Sequence, residues 1–220
     1  MATTYASASE VLRELEGIDA TSIAVISNLT SQVTNLLPFT KLQLENLCGR
    51  DFEAHVGDAV YLDGQGSNIL LLRKQWPITA LTKIESVSSD GATFTLVAAS
   101  GYKVDLDKGI VYRVSSSDRE SAYEDKTDVW FVGRRNYRVT LSWGYATPPA
   151  DVKMAQAHMV RAMILGRIAA ADKSAEGSVQ RHQVSTWSVY FASGSPYAGE
   201  IESSMALVDS VVQQRRVVGM

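Results

Sequence analysis

The chain has a single cysteine, Cys48, so no internal disulfide can form and nothing points to an oxidising compartment. Histidine is almost as scarce. His55, His158 and His182 stand far apart, none in an H-x-x-x-H or Cys/His pair, so spacing offers no zinc site. No uninterrupted apolar run approaches the length of a membrane span. The opening MATTYASASE has neither a basic stretch nor an apolar one, which predicts no signal peptide. The expectation is a soluble chain made in a cytoplasm, with no membrane partner. Charge of one sign is also lacking: 21 Lys and Arg against 24 Asp and Glu leave a net -3, so there is no electrostatic case for wrapping nucleic acid tightly.

Catalytic patterns are missing too. Cys48 as a nucleophile needs a histidine in space, and His55, seven residues on, is the nearest in sequence; a buried, incidental thiol is the reading preferred. Gly64-Gln65-Gly66-Ser67 lacks the lysine and the following helix of a phosphate loop, so it reads as a turn. There is no G-x-S-x-G elbow. Asp105-Leu106-Asp107-Lys108-Gly109 has two carboxylates, but Lys108 and the missing closing Glu argue against a calcium loop. Nothing selects a carboxylate pair for glycosidase chemistry. The expectation is a non-enzyme with no catalytic residue, no metal and no cofactor. Arg134-Arg135, with Tyr137 and Arg138, is the densest basic cluster. It either touches nucleic-acid backbone or forms a hairpin tip salt-bridged to the acidic loop Glu120 to Asp128; the second reading is preferred.

What is present is a chain of 220 residues, 45% apolar and 20% charged, enough to bury one large core or two small ones. Leu47 to Glu85 is its organising stretch. Asp63-Gly64 is a hairpin signal, with Gly64 and Gly66 supplying positive φ. Ile69 to Leu72 reads as a buried strand. Pro77 bends the chain, and Trp76 is the apolar anchor expected there. From Leu42 to Trp143 the apolar period is two. Strands are expected at Ile78–Val87, Thr93–Ala98, Tyr102–Leu106, Ile110–Val114, Val129–Val132 and Asn136–Trp143, with an exposed loop at Ser115–Thr127.

Helices flank this region. Ser9–Glu16 is a short one. Asp19 caps the next, Ala20–Leu37, which Pro38 ends; Ile23, Ile26, Leu29, Val33 and Leu36 form its apolar stripe. Its other face, with Ser22, Ser27, Asn28, Ser31 and Gln32, is polar but uncharged, which suits either solvent or a neighbouring subunit. Pro148-Pro149 opens a third helix with Asp151 in its first turn. Val152, Ala155, Met159, Met163, Gly166 and Ala170 line one face, and its small residues permit close packing. Ser178 to Gly194 is a strand or extended arm in which Trp187, Val189 and Phe191 alternate with Ser188 and Tyr190. A last helix begins near Pro196 and carries Ile201, Met205, Val208 and Val212. The fold class expected is α+β: an α-helical bundle body, residues 1–41 and 145–220, with an inserted antiparallel β-domain, residues 42–144.

The order of elements in Leu47–Glu85, the strand Pro77-Ile78-Thr79-Ala80-Leu81, and the strand, Gly-Tyr bend and Pro-Asp helix start of Tyr137–Ala157 together resemble the head–tail connector (adaptor, head completion) proteins of tailed bacteriophages. The resemblance covers roughly half the chain. It implies a structural virion protein at the head–tail interface, a ring subunit that docks on the portal protein and extends the DNA channel toward the tail. Its implied partners are the portal, tail or stopper and neck proteins, and further copies of itself, a dodecamer on the portal. DNA would pass through the lumen without sequence-specific binding, which a near-neutral chain suits. The candidate partner interface is Trp187, Tyr190, Phe191, Arg215 and Arg216, because aromatics and arginine favour interface anchors. Alternatively, Trp187 and Phe191 complete the chain's own core. The competing function is a β-sandwich binding module for carbohydrate or a tail-fibre partner, with Trp76, Tyr102, Tyr112, Trp130 and Trp143 as an aromatic platform.

Overall fold

Ser7 stands three residues ahead of Glu10, and a helix begins there. The Ser7 hydroxyl accepts the Glu10 N–H, and the Glu10 carboxylate accepts the Ser7 N–H at 2.7 Å, a reciprocal cap that satisfies two orphan donors. The helix α1 spans Ala8–Glu14. The structure, a computed structural model, describes residues 4–16, 18, 28–72, 75–114, 129–171, 179–184, 187–192 and 194–216. The cap expected at Asp19 and the stripe residues Ile23 and Ile26 lie outside the described residues.

Helix α2 spans Leu29–Cys48 and runs through Pro38, where the sequence predicts an end. It also takes residues 42–48, which the change of period assigns to β-structure. Proline at 38 removes the N–H that would bond the Thr34 carbonyl and crowds that turn, yet the helix continues, and side chains add bonds to the turn that contains it. Thr40 Oγ1 donates to the Leu36 and Leu37 carbonyls, at 3.1 Å each. Gln156 Nε2 donates to the Leu37 carbonyl at 2.7 Å. Gly49, with φ +72°, closes the helix in the left-handed conformation.

Helix α3, Ala150–Ala171, carries Gln156 and is the hub of its unit. It touches α1, α2, the strand Trp187–Ala192 and the last helix, α4, Ala198–Arg215. Its buried residues are not confined to one stripe: Val152, Ala155, Gln156, Ala157, Met159, Val160, Ala162, Ile164, Leu165, Ile168 and Ala169 are all inside. A helix apolar almost all round is a central one.

The chain forms two compact units, Met1–Asp51 with Pro148–Met220, and Phe52–Thr147. The first is not an α-helical bundle, and that expectation is corrected. It contains an antiparallel hairpin of β8 (Val179–Val184) and β9 (Trp187–Ala192), with β9 laid against α3. The period-two pattern of Trp187, Val189 and Phe191 puts three large side chains on one face of β9, all buried. Gly166 lets them approach: a Cβ there would stand 3.0 Å from Val189 Cγ1. The α+β class itself stands.

The second unit is all β among the described residues, apart from one 3-10 turn at Ala99–Gly101. Its strands are β1 (His55–Gly64), β2 (Ile69–Leu71), β3 (Ile78–Val87), β4 (Phe94–Leu96), β5 (Tyr102–Asp105), β6 (Ile110–Arg113) and β7 (Gly133–Trp143). They form a four-stranded sheet in the order β1-β7-β3-β4 and a three-stranded sheet β2-β6-β5. One core serves both: Leu70 and Val111 from the smaller sheet, Ile78, Ile84, Tyr137, Val139, Leu141 and Trp143 from the larger, and Trp130 between strands. Strand β7 sits centrally, and its buried residues alternate from Tyr137 to Trp143, as a half-buried strand should.

The Asp63-Gly64 hairpin expected from sequence does not form. β1 pairs with β7 and β2 with β6, so the chain crosses between sheets at residues 65–68. Gly64 is needed for close approach rather than for positive φ: a Cβ there would lie 1.8 Å from the Phe131 carbonyl oxygen. Gly66 does take φ +73°. Val129–Val132 is irregular rather than a strand. Trp76 is partly exposed, its Nε1 donating to the Asp107 carbonyl at 3.1 Å, and the tryptophans in the core are Trp130 and Trp143.

Candidate docking surfaces

The candidate interface residues fall into two classes. Trp187 (5% exposed) and Phe191 (3%) point into the core of their own unit, while Tyr190, between them on the opposite face of β9, is 56% exposed. The Arg181 guanidinium of β8 lies 5.7 Å from the Tyr190 ring centre, so a cation and an aromatic are displayed together on the outer face of the hairpin.

Arg215 is engaged within the chain. At the last turn of α4 it grips Asp151, in the first turn of α3, by two bonds: Nε to Oδ2 at 2.8 Å and a terminal nitrogen to Oδ1 at 3.0 Å. Burial raises the Asp151 carboxyl, but Arg215 outweighs it and holds the group below its ordinary value. Each charge also sits at the helix end that its sign favours. Arg216 follows as the exposed residue that closes α4. The pair is partly exposed, so its worth is discounted: Arg215→Ala is expected to cost about 1 kcal/mol, read as a lower urea midpoint. Because the carboxyl is depressed, this contribution is present above the ordinary carboxylate range and fades as pH falls through the lowered value. Equal stability of variant and parent at pH 7 would show that the pair adds nothing to the fold.

Helix α2 shows a surface with little charge. Its two charged residues, Lys41 and Glu45, lie 3.7 Å apart, and the Tyr5 hydroxyl donates to Glu45 at 2.6 Å. The outward face carries Thr34, Asn35, Phe39, Leu42 and Asn46, with Phe39 and Leu42 about half-exposed. The uncharged face read from sequence therefore continues beyond residue 37. The large apolar side chains at its centre are hidden from a sequence reading by the expected stop at Pro38.

Residues weighed for chemistry take structural places. Burial pushes the Cys48 thiol up to about 11, so it is a protonated, sheltered thiol at neutral pH. His55 stacks on Trp143 at 3.9 Å and meets Asp58 at 2.8 Å. His158, on α3, is within 3.2 Å of the Ser204 hydroxyl, and burial lowers its pKa. Ser204 is itself fully buried, so this contact presents no nucleophile to a substrate. Asp105 and Lys108 close the β5–β6 turn on each other at 3.2 Å. Among the described residues no group of three or more His, Cys, Asp or Glu side chains could hold a metal. The aromatic platform does not assemble, because Trp130 and Trp143 are buried in the β core.

Arg134 and Arg135 open β7 at the rim of a cleft of about 640 Å³. Arg135 has φ +50°, left-handed for a residue with a Cβ. Its N–H donates to Asp63 Oδ1 at 2.6 Å and its guanidinium covers the Tyr61 ring at 4.7 Å. Beside them Asn136 uses both ends of its amide, accepting from the Gly64 N–H and donating to the Phe131 carbonyl, each at 2.8 Å. The acidic loop expected to pair with these arginines lies outside the described residues. Arg138 belongs elsewhere: with Lys83 it binds Glu85, at 2.8 and 3.0 Å, and hydrogen bonds from Lys83 and Arg138 hold that carboxyl below its ordinary value.

Neither a family model nor a curated protein matches the chain. Solved structures do. A chain from the neck of an empty gene transfer agent particle, computed with C6 symmetry, aligns over 100% of this chain and 95% of its own, with TM-score 0.52 and 13% identity. A chain from the virion of a native gene transfer agent particle aligns over 98% and 91%, with TM-score 0.47 and 14% identity. At such identity the likeness is one of fold, and the first match spans both units: the chain is built like a protein of a phage-like particle neck, as its resemblance to head–tail connectors implies.

Proposed function

We propose that the protein is a structural component of a virion neck: a head–tail connector subunit that assembles with copies of itself into a ring, docks on a portal, and continues the DNA channel toward the tail. One observation carries this reading, the fold match to a neck chain over nearly the full length of both proteins. A shared module would align over one unit only, whereas this correspondence takes in both. The helical unit would be the connector body. Its α2 face, with Phe39 and Leu42 among uncharged neighbours, loses little hydration when a neighbour covers it.

The neck of the similar chain was computed with C6 symmetry, and sixfold symmetry admits copies in multiples of six, so a dodecamer is compatible with it. The test is mass determination in solution, for the chain alone and with a portal ring. Binding to the portal in a defined multiple is the expected result. A stable small oligomer that ignores the portal would overturn the reading.

A further inference from the structure

We propose that the cleft beside Arg134 and Arg135 is a site for the phosphodiester backbone of nucleic acid. Two adjacent arginines stand at the start of β7, both exposed. Among the described residues neither forms an ion pair with a carboxylate. The backbone that carries them is fixed in an unfavourable conformation: Arg135 keeps φ +50° because Asp63 accepts its N–H and Tyr61 lies under its guanidinium. A left-handed backbone is disfavoured for any residue with a Cβ, and strain of this kind persists where surrounding contacts hold it.

Among the described residues, two carboxylates adjoin the cleft's lining, and both are hydrogen-bonded. Asp63 is bonded to the Arg135 amide at 2.6 Å. Asp90 accepts the Ser88 hydroxyl and the Ala92 N–H within its own turn.

The other walls decide which anion fits. Ser88, Ser89, Gly91 and Asn136 are small or polar, the residue types that meet phosphate oxygens alongside arginine and backbone N–H groups. An acidic protein partner would want a buried apolar anchor, and Val87 and Tyr61 are the apolar lining side chains, Tyr61 being already covered by Arg135. Two neighbouring forks also suit an anion repeated along a chain better than one carboxylate.

The chain's net charge of -3 makes the contact weak, so the test must read weak binding. Arginine Nε–H resonances of the full chain are followed by NMR as a short random-sequence DNA duplex is added at low salt. The Arg134 and Arg135 signals are expected to move, and to return when salt is raised. In the Arg134→Gln/Arg135→Gly double variant, the duplex affinity is expected to fall about tenfold and the slope of log affinity against log salt to shrink by about two. Glycine accepts a left-handed backbone without strain, and a urea melt confirms that the variant folds. Unmoved signals, an unchanged variant, or an equal response to a glutamate-rich peptide would overturn the site. The site rests on the neck reading, in which nucleic acid passes the ring. Its test uses no portal, so a chain that joins the portal without these shifts fails here alone.

Discussion

Gly144→Ala is expected to destabilise the β unit by about 4 kcal/mol, a large share of what holds a domain of this size together. Gly144 has φ +89°, and a Cβ built there would stand 1.7 Å from the Glu53 carbonyl oxygen. Two costs add. The left-handed conformation costs an alanine about 1 kcal/mol, and moving packed backbone to relieve the clash costs about 3 kcal/mol. Two other glycines separate these effects. Gly57 has φ +68° with nothing near its would-be Cβ, so Gly57→Ala should cost only about 1 kcal/mol. Gly64 lacks the positive φ but meets the Phe131 carbonyl at 1.8 Å, so its alanine variant should fall between, at about 3 kcal/mol. Urea melts followed by tryptophan fluorescence report mainly on this unit, because three of the four tryptophans, Trp76, Trp130 and Trp143, lie in it and Trp187 alone lies in the other. A Gly144→Ala variant no weaker than Gly57→Ala would contradict the packing described at Glu53.

Why some of this is legible in the sequence, and some not, follows from where the determining forces act. Strand β3 has the bounds that its period-two pattern predicts, Ile78–Val87, and the alternation of β7 reads directly as burial. Both are set by local pattern against one core. Pro38 misleads because tertiary contacts hold the helix on both sides of it, among them the bond from Gln156 to the Leu37 carbonyl, 119 positions away. No local window contains that bond. Asp63-Gly64 misleads for a similar reason: the residue that needs the glycine is Phe131, far along the chain.

The candidate site is legible in part. The Arg134-Arg135 cluster is visible in composition, but the left-handed backbone that presents it depends on Asp63, 72 positions away. For the aromatics of β9, alternation tells which residues share a face but not which face is covered. That depends on α3 lying behind Val189 at Gly166. Tyr190, the odd member of the alternation, is the one left outside.

Gln156→Leu is expected to cost the helical unit about 3 kcal/mol. Gln156 is fully buried on α3, and its amide ties α3 to two other segments. Oε1 accepts the Ala6 N–H at 2.6 Å, while Nε2 donates to the Leu37 carbonyl of α2 at 2.7 Å and lies 3.4 Å from Thr40 Oγ1. Flipping the amide would set donor against donor at Ala6 and acceptor against acceptor at Leu37, so the network fixes one orientation. Leucine is close in size and removes all three bonds. The Ala6 N–H is then buried without this acceptor, a loss of about 1–3 kcal/mol. The Leu37 carbonyl keeps the Thr40 hydroxyl at 3.1 Å and suffers less. Thr40→Val is the complementary change, and it should cost only about 1 kcal/mol, since Gln156 still serves Leu37. The double variant should lose more than the sum of the two, because it leaves the Leu37 carbonyl with neither side-chain donor. Helical circular dichroism in a urea series measures all three. Strict additivity would mean that the two donors do not back each other up at the Leu37 carbonyl.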